Sequence, residues 1–308
     1  MIVGQDAILP GQDNNLSYGI WRKMTLKLFN STADIFIPDG TETSAALART
    51  THLGIGAHQD DLEIMAFHGI LACFDSPDHW FTAVTCTNGS GSARIGPYAA
   101  YTDEAMMAVR REEQRQAAIL GRYGAVLQLD HPSSVVKDPA NPALQDDLVR
   151  ILQAAKPEVV YTHNPADKHA THIGIVIPTL LALRQLPPAE RPQKVYGCEV
   201  WRDLDWLPDE DKVALDVGGR ENLAAALVGL FDSQIAGGKR YDLATIGRRH
   251  ANATYFGSHT VDEASQLTFA LDLTPLIGDD SLDIAAYVLG FVDKFRDDVQ
   301  TSLGRQLG

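Results

Sequence analysis

His58, Asp60 and Asp61 stand almost side by side in Leu53-Gly-Ile-Gly-Ala-His-Gln-Asp-Asp-Leu-Glu63. One imidazole and one carboxylate aimed at a common point make most of a hydrolytic metal site, and a free carboxylate beside them can accept a proton. An apolar run, Leu53 to Ala57, ends at these residues, and Ile64, Met65, Phe67, Ile70 and Leu71 then continue at helical spacing. A strand that stops at His58 and a helix that starts near Asp60 place all three at the C-terminal edge of a sheet, where open α/β sheets bind ligands. If the first turn begins at Gln59 or Asp60, His58 and Asp61 converge while Asp60 points elsewhere. A helix-capping aspartate is the ordinary alternative; it explains one carboxylate, not a histidine with two of them.

A third ligand has a candidate in Thr162-His-Asn-Pro-Ala-Asp-Lys-His-Ala-Thr-His172. This segment also follows a β-rich run, Val159-Val160-Tyr161, and precedes an apolar helix-like stretch, Ile173 to Leu183. His169 and His172 share a face on a helical first turn. Asp167 is placed to hold the His169 imidazole in one tautomer or keep it protonated, and His163 is a candidate second partner for a ligand, with a satisfied core histidine as the alternative.

The elements that must position these groups read as an alternation. Strands are expected at Leu53–Ala57, Trp80–Thr87, Ala125–Leu129, Glu158–His163 and Lys194–Val200, with helices at Asp61–Cys73, Asp103–Gly121, Pro142–Ala155 and Thr171–Leu186. That rhythm predicts an α/β fold: a Rossmann-like, mostly parallel sheet with helices on both faces. Residues 1–50 read as an arm packed on the core, with a helix expected over Leu16–Phe29. Residues 51–205 read as the catalytic core. Residues 206–308 read as a less regular C-terminal extension or small lobe of the same domain, with strands at Val213–Val217 and Leu267–Leu273 and helices at Arg220–Phe231 and Ser281–Leu303.

The 308 residues suffice for a full core, and 45% hydrophobic with 21% charged residues is ordinary for a globular protein. A formal charge of −14 with no basic stripe argues against a nucleic-acid partner. No apolar run reaches membrane-spanning length, and the N-terminus has no leader pattern, so a cytoplasmic protein is expected. Cys73, Cys86 and Cys198 lack C-x-x-C spacing and read as buried free thiols.

Ala57-His-Gln-Asp-Asp-Leu-Glu63 resembles the Ala-His-Pro-Asp-Asp-x-Glu signature of the PIG-L/LmbE-like zinc N-deacetylases, and Asp167-Lys-His-Ala-Thr-His172 resembles their later Asp-x-His-Pro-Asp-His element. Thr85-Cys-Thr-Asn-Gly89 is similar to the family's second-strand Thr-x-Gly turn. Arg110-Arg-Glu-Glu113 with Ala117-Ala-Ile-Leu-Gly121 is similar to its Arg-x-x-Glu…Ala-Ala-x-x-Leu-Gly helix. The resemblance spans about residues 50 to 200. It implies that His58, Asp61 and His172 hold zinc, that Asp60 is the general base, and that His169 stabilises or protonates the intermediate. Gln59 stands in place of the usual Pro, Thr171 in place of Asp, and Phe67-His68 in place of a Gly-Gly pair, where added bulk would narrow a pocket.

Three further residues are candidate substrate contacts: Arg110 from its helix, Trp201 after the fifth strand, and Asn88 in the turn Asn88-Gly-Ser-Gly91, which lacks the residues of a phosphate loop. Arg248-Arg-His250 forms a basic island suited to a substrate group or to a contact between copies in a homo-oligomer; a solvated helix face is its default. The reading is a zinc-dependent hydrolase that removes an N-acetyl group from an amino sugar or related glycoconjugate. Two histidines and one carboxylate also suit Fe2+. The rivals are a metal hydrolase of another bond, such as a phosphoester, and a non-catalytic sugar-binding relative.

Overall fold

A computed structural model describes residues 26–259 and 261–308. The strands are β1 (Asp34–Phe36), β2 (His52–Gly56), β3 (Phe81–Thr87), β4 (Ala125–His131), β5 (Val159–His163), β6 (Lys194–Cys198), β7 (Lys212–Asp216) and β8 (Leu267–Asp272). The helices are α1 (Thr43–Ala48), α2 (Asp61–Met65), α3 (Phe67–Cys73), α4 (Asp103–Gly121), α5 (Ser133–Val136), α6 (Ala143–Ala155), α7 (Ala170–Arg184), α8 (Glu221–Gly229), α9 (Asp232–Ile235), α10 (Tyr241–Tyr255), α11 (Pro275–Gly278) and α12 (Ile284–Leu307).

One eight-stranded sheet runs in the order β1-β4-β3-β2-β5-β6-β8-β7. Strands β2 to β6 pair in parallel, while β1 lies antiparallel to β4 and β8 antiparallel to both β6 and β7. The chain moves outward from β2 to β3 and β4, then returns to the other side of β2 for β5 and β6. The junction of β2 and β5 is therefore the point where strand order reverses, and a crevice opens there beyond the carboxyl ends of both strands.

Two apolar clusters fill the two faces of the sheet. On one, α6 and α7 pack against β2, β4 and β5 through Leu148, Ile151, Ile175, Leu180 and Leu183. The period of α6 leaves Leu144, Leu148, Ile151, Leu152 and Ala155 buried, and the helix ends where Lys156 turns left-handed (φ 45°) before Pro157. On the other face, Leu62, Met65, Phe67 and Ile70 of α2 and α3 join Phe81, Tyr123 and Leu227. Gly54 permits this: a Cβ there would lie 2.8 Å from the Phe81 ring and 2.9 Å from Leu62.

The structure departs from expectation in a few places. The helix expected over Asp61–Cys73 is broken at Ala66 into two short ones. Residues 16–25 of the helix expected over Leu16–Phe29 lie outside the described residues, and Leu26–Phe29 are not helical. The segment read as an irregular extension places β8 and β7 on the sheet beside β6 and contributes α10, which carries the basic island. Phe67 and His68 face the interior rather than a pocket: Phe67 is buried beneath Arg249, and His68 bonds the Tyr161 hydroxyl at 2.8 Å. The three cysteines are buried and free. Among the described residues no helix is long and apolar enough to cross a membrane.

Candidate metal centre

His58 follows β2, and the turn to α2 places Asp60 at the N-cap with φ 95°, a left-handed conformation rare for a residue with a side chain. The turn is closed by Asp61, whose Oδ2 accepts the His58 backbone N–H at 2.7 Å. From the adjacent strand end, β5 contributes His163, and the following loop contributes His169 as the N-cap of α7 and His172 in its first turn.

His58, Asp61 and His172 can present one ligand atom each within 4.8 Å of one another. His58 Nδ1 is 3.3 Å from Asp61 Oδ2, and His172 Nε2 is 3.6 Å from Asp61 Oδ1. Tetrahedral zinc with bonds of about 2.0–2.1 Å sets its ligand atoms roughly 3.3 Å apart. The residues present fit such an ion. His172 is fully buried, its Nδ1 is 3.0 Å from Asp167 Oδ2, and its Nε2 has no hydrogen-bond partner. A ring nitrogen fixed on one side and unpartnered on the other is the usual state of a metal-ligating histidine.

A second trio, His163, Asp167 and His172, is also close enough. Its atoms are already engaged: His163 Nε2 accepts the Ala57 N–H at 2.9 Å, and Asp167 Oδ2 is bonded to His172. The His163 ring stacks on that of His172 at 3.8 Å and lies 3.4 Å from Asp61 Oδ2, so it buttresses the first trio.

The two aspartates sit in different fields. Burial raises the Asp60 carboxyl well above the usual carboxylate range; Arg110, 3.6 Å away, opposes this, and the Asp61 and Glu63 carboxylates reinforce it. Burial also acts on Asp61, but the facing His172 and His163 hold it well below that range. For His169, burial and then the His172 and His58 rings push the imidazole down to about 4, so at neutral pH it is a neutral donor rather than a cation.

Asp167 does not hold the His169 ring. Its Oδ1 accepts only the His169 backbone N–H at 3.2 Å, while Oδ2 takes His172. Arg110 lines the cleft beside Asp60 but is buried and tied to the ligand turn, with Nε donating to Gln59 Oε1 at 3.2 Å and Nη2 to the Gln59 carbonyl. Gln59 itself donates to the Thr87 carbonyl and to Gln128 Oε1, so this residue ties the ligand turn to β3 and β4. Asn88 is not among the cleft's lining residues; its Oδ1 accepts the Ser90 N–H, and its neighbours Gly89, Gly91 and Ser92 line the wall. A Cβ on Gly89 (φ +74°) would strike Arg110 Cδ at 2.7 Å and Gln59 Oε1 at 2.8 Å. Trp201 does line the cleft, with its ring 5.9 Å from that of His169.

Residues 53–177 match the family described as PIG-L: GlcNAc-PI de-N-acetylase. This segment is similar to a PIG-L domain. No curated protein matches the chain. Solved structures similar to it include 4-carboxy-2-hydroxymuconate hydratase GalB from Pseudomonas putida KT2440, at 18% identity over 72% of this chain and 95% of that one, with a TM-score of 0.56. N,N'-diacetylchitobiose deacetylase from Pyrococcus horikoshii is similar at 16% identity over 71% and 83%, with a TM-score of 0.52. The A40926 pseudoaglycone deacetylase Dbv21 is similar at 18% identity over 73% and 97%, with a TM-score of 0.50. At these identities the likeness establishes the fold.

The matched PIG-L segment contains all the candidate ligands, but the cleft of about 490 Å3 above them is completed by later residues. Val200, Trp201, Gln234, Lys239 and Tyr241 line it from beyond the matched segment. Sequence reading singled out only Trp201 among these. Lys239 and Tyr241 lie in no recognisable motif, and their approach depends on α10 docking against the site. Arg249 secures that docking: it is buried, and its Nη2 donates to the carbonyls of Glu63 and Ile64 at 2.9 and 3.0 Å.

Proposed function

We propose that the protein is a metal-dependent amide hydrolase that removes an N-acetyl group from an amino sugar or related glycoconjugate. The convergence of His58, Asp61 and His172 at the β2/β5 crevice, with Asp60 beside them and outside the trio, carries this reading. The PIG-L match over residues 53–177 supports the reaction class. The fold does not choose it, since a hydratase and deacetylases share that fold.

His58, Asp61 and His172 would hold the ion, zinc by the histidine-rich set, with Fe2+ compatible. An ion held there would supply Lewis-acid polarisation of the acyl carbonyl and would lower the pKa of the attacking water toward ~7. Asp60, its carboxylate form favoured by the Arg110 guanidinium 3.6 Å away, takes a proton from the attacking water and can return it to the departing amine. Arg110 fixes the position of that carboxylate from below and keeps the turn from relaxing. His169, neutral and at the mouth of the trio, offers a ring N–H to the oxygen that gains charge in the tetrahedral intermediate. His58, partly exposed on the cleft side, leaves the approach to the trio open to substrate. A small-molecule substrate in the cytoplasm is the setting we assign.

Acetate release from N-acetylglucosamine derivatives, chitooligosaccharides and inositol-linked sugars tests the proposal, using zinc-loaded and chelator-treated protein. Release that requires the metal is expected. A panel with no acetate released by the zinc-loaded protein contradicts the amide-hydrolase reading.

A further inference from the structure

The last helix, α12, is docked on the body along its first half only. Ile284, Tyr287 and Phe291 pack against the apolar cluster on one face of the sheet, and Val288 is buried. The Tyr287 hydroxyl donates to the Asp272 carbonyl at 2.7 Å. Lys294 Nζ, 2.8 Å from Asp211 Oδ2, is the last side chain of the helix tied to another element among the described residues. From Val292 to Gly308 every residue is exposed.

This free half is not polar all round. Val292, Phe295, Val299 and Leu303 follow one another at three or four residues and lie within about 80° of one another around the axis. Phe295 and Val299 are 41% and 40% exposed, and Leu303 is 56% exposed. An apolar stripe of this kind is what a helix buries against a neighbour, and helices in proteins take most of their stability from such burial. The need is greater here because Thr301, Ser302 and Gly304, weak helix formers, sit in the same turns.

The stripe is complementary to a second copy of itself. Laid antiparallel with Val299 beside Leu303 of the second copy, two such helices set Phe295 beside Leu307 and bring Asp298 within a turn of Arg305. Asp298 and Arg305 are seven residues apart, so they share one flank of the stripe. A two-fold axis repeats every contact, and the pair therefore carries this charge contact twice. Residues 292–308 hold three acidic and three basic side chains, whereas the whole chain carries −14. A second copy approaches here without the repulsion that the rest of the chain would impose. Antiparallel pairing also leaves the two acidic bodies at opposite ends. A parallel pair would bring them together and leave Asp298 level with Asp298.

We propose that the free half of α12 is a self-association surface that pairs antiparallel with α12 of a second copy. The overlap of about 20 Å buries less than the ~800 Å2 per partner of a standard interface, so the dimer is reversible, with a Kd of about 1–100 µM.

Sedimentation equilibrium of the full chain across that concentration range is the test. The unsubstituted chain should pass from monomer to dimer. Val299→Glu/Leu303→Glu should stay monomeric, because it places carboxylates in the seam. Asp298→Arg and Arg305→Asp should each weaken the dimer about ten-fold by making both charge contacts repulsive. Mixing these two single variants should restore association, since each then meets its opposite charge in the other. All four positions are exposed, so the substitutions leave the core of the body intact. A chain that stays monomeric throughout, including one whose residues 1–25 protect α12 from hydrogen exchange, overturns the proposal. So does a dimer that survives Val299→Glu/Leu303→Glu, or a pair of charge variants that fail to rescue each other on mixing.

Discussion

The Asp167 carboxylate holds the ring of His172, with Oδ2 at 3.0 Å from Nδ1. This fixes the tautomer of a buried histidine so that Nε2 presents its lone pair to the space beside Asp61, 3.6 Å away. The same carboxylate reaches His169 only through the backbone. The two histidines, three residues apart, are thereby given different jobs.

Asp167→Ala should weaken zinc binding by about 10–100-fold, the usual loss when a partner that orients a ligating histidine is removed. Competition with a chromogenic chelator measures it. Unchanged affinity would remove Asp167 from this role.

His169→Ala should retain its zinc and lose roughly 10²–10³-fold in kcat, as expected for one oxyanion donor. Metal content and steady-state rates on the same preparation decide the matter. Lost zinc would make His169 a ligand.

Gln59 links Arg110, Thr87 and Gln128 to the ligand turn while itself buried. Gln59→Ala leaves those partners unsatisfied and should cost about 1–3 kcal/mol of stability. Urea unfolding of the metal-free protein is the measurement. A cost near zero would mean that water replaces the lost bonds.

Much of this site was legible because it is local. His58-Gln-Asp-Asp61 and Asp167-Lys-His-Ala-Thr-His172 each sit at a strand-to-helix junction, so short-range periodicity placed them at one sheet edge. The same reasoning could not see which imidazole Asp167 would reach, because that depends on His169 ending outside the helix and His172 inside it. Nor could it see that Arg110 would fold under the turn. Arg249 reads as a surface cation on any local pattern, yet it is buried because α10 docks on α2 from more than a hundred residues away. The break at Ala66 was hidden for a similar reason. The apolar spacing runs through it unchanged, and only the packed structure divides the helix.

His52, at the start of β2, has its imidazole pushed down to about 4 by burial and by the His79 and His68 rings. The unfolded value is 6.5, so between these limits the unfolded chain binds the extra proton. His52 therefore favours the folded state fully above pH 6.5, and this contribution is lost as pH falls toward 4. His52→Gln should flatten the acid side of a stability–pH profile measured by denaturant unfolding at fixed zinc. A variant as acid-sensitive as the parent protein would show that other groups dominate that limb.

Zinc stoichiometry and acetate release, measured side by side for Asp60→Asn and Asp61→Asn, test the division of labour between the two adjacent carboxylates. Asp61 lies between His58 and His172, whereas Asp60 faces Arg110 and stays outside the trio. Asp60→Asn keeps the shape but cannot take a proton, so it should retain its zinc and lose about 10²–10⁴-fold in rate. Asp61→Asn should lose both zinc and activity. An Asp60→Asn protein that sheds its metal, or that turns over at a near-normal rate with metal bound, contradicts the account.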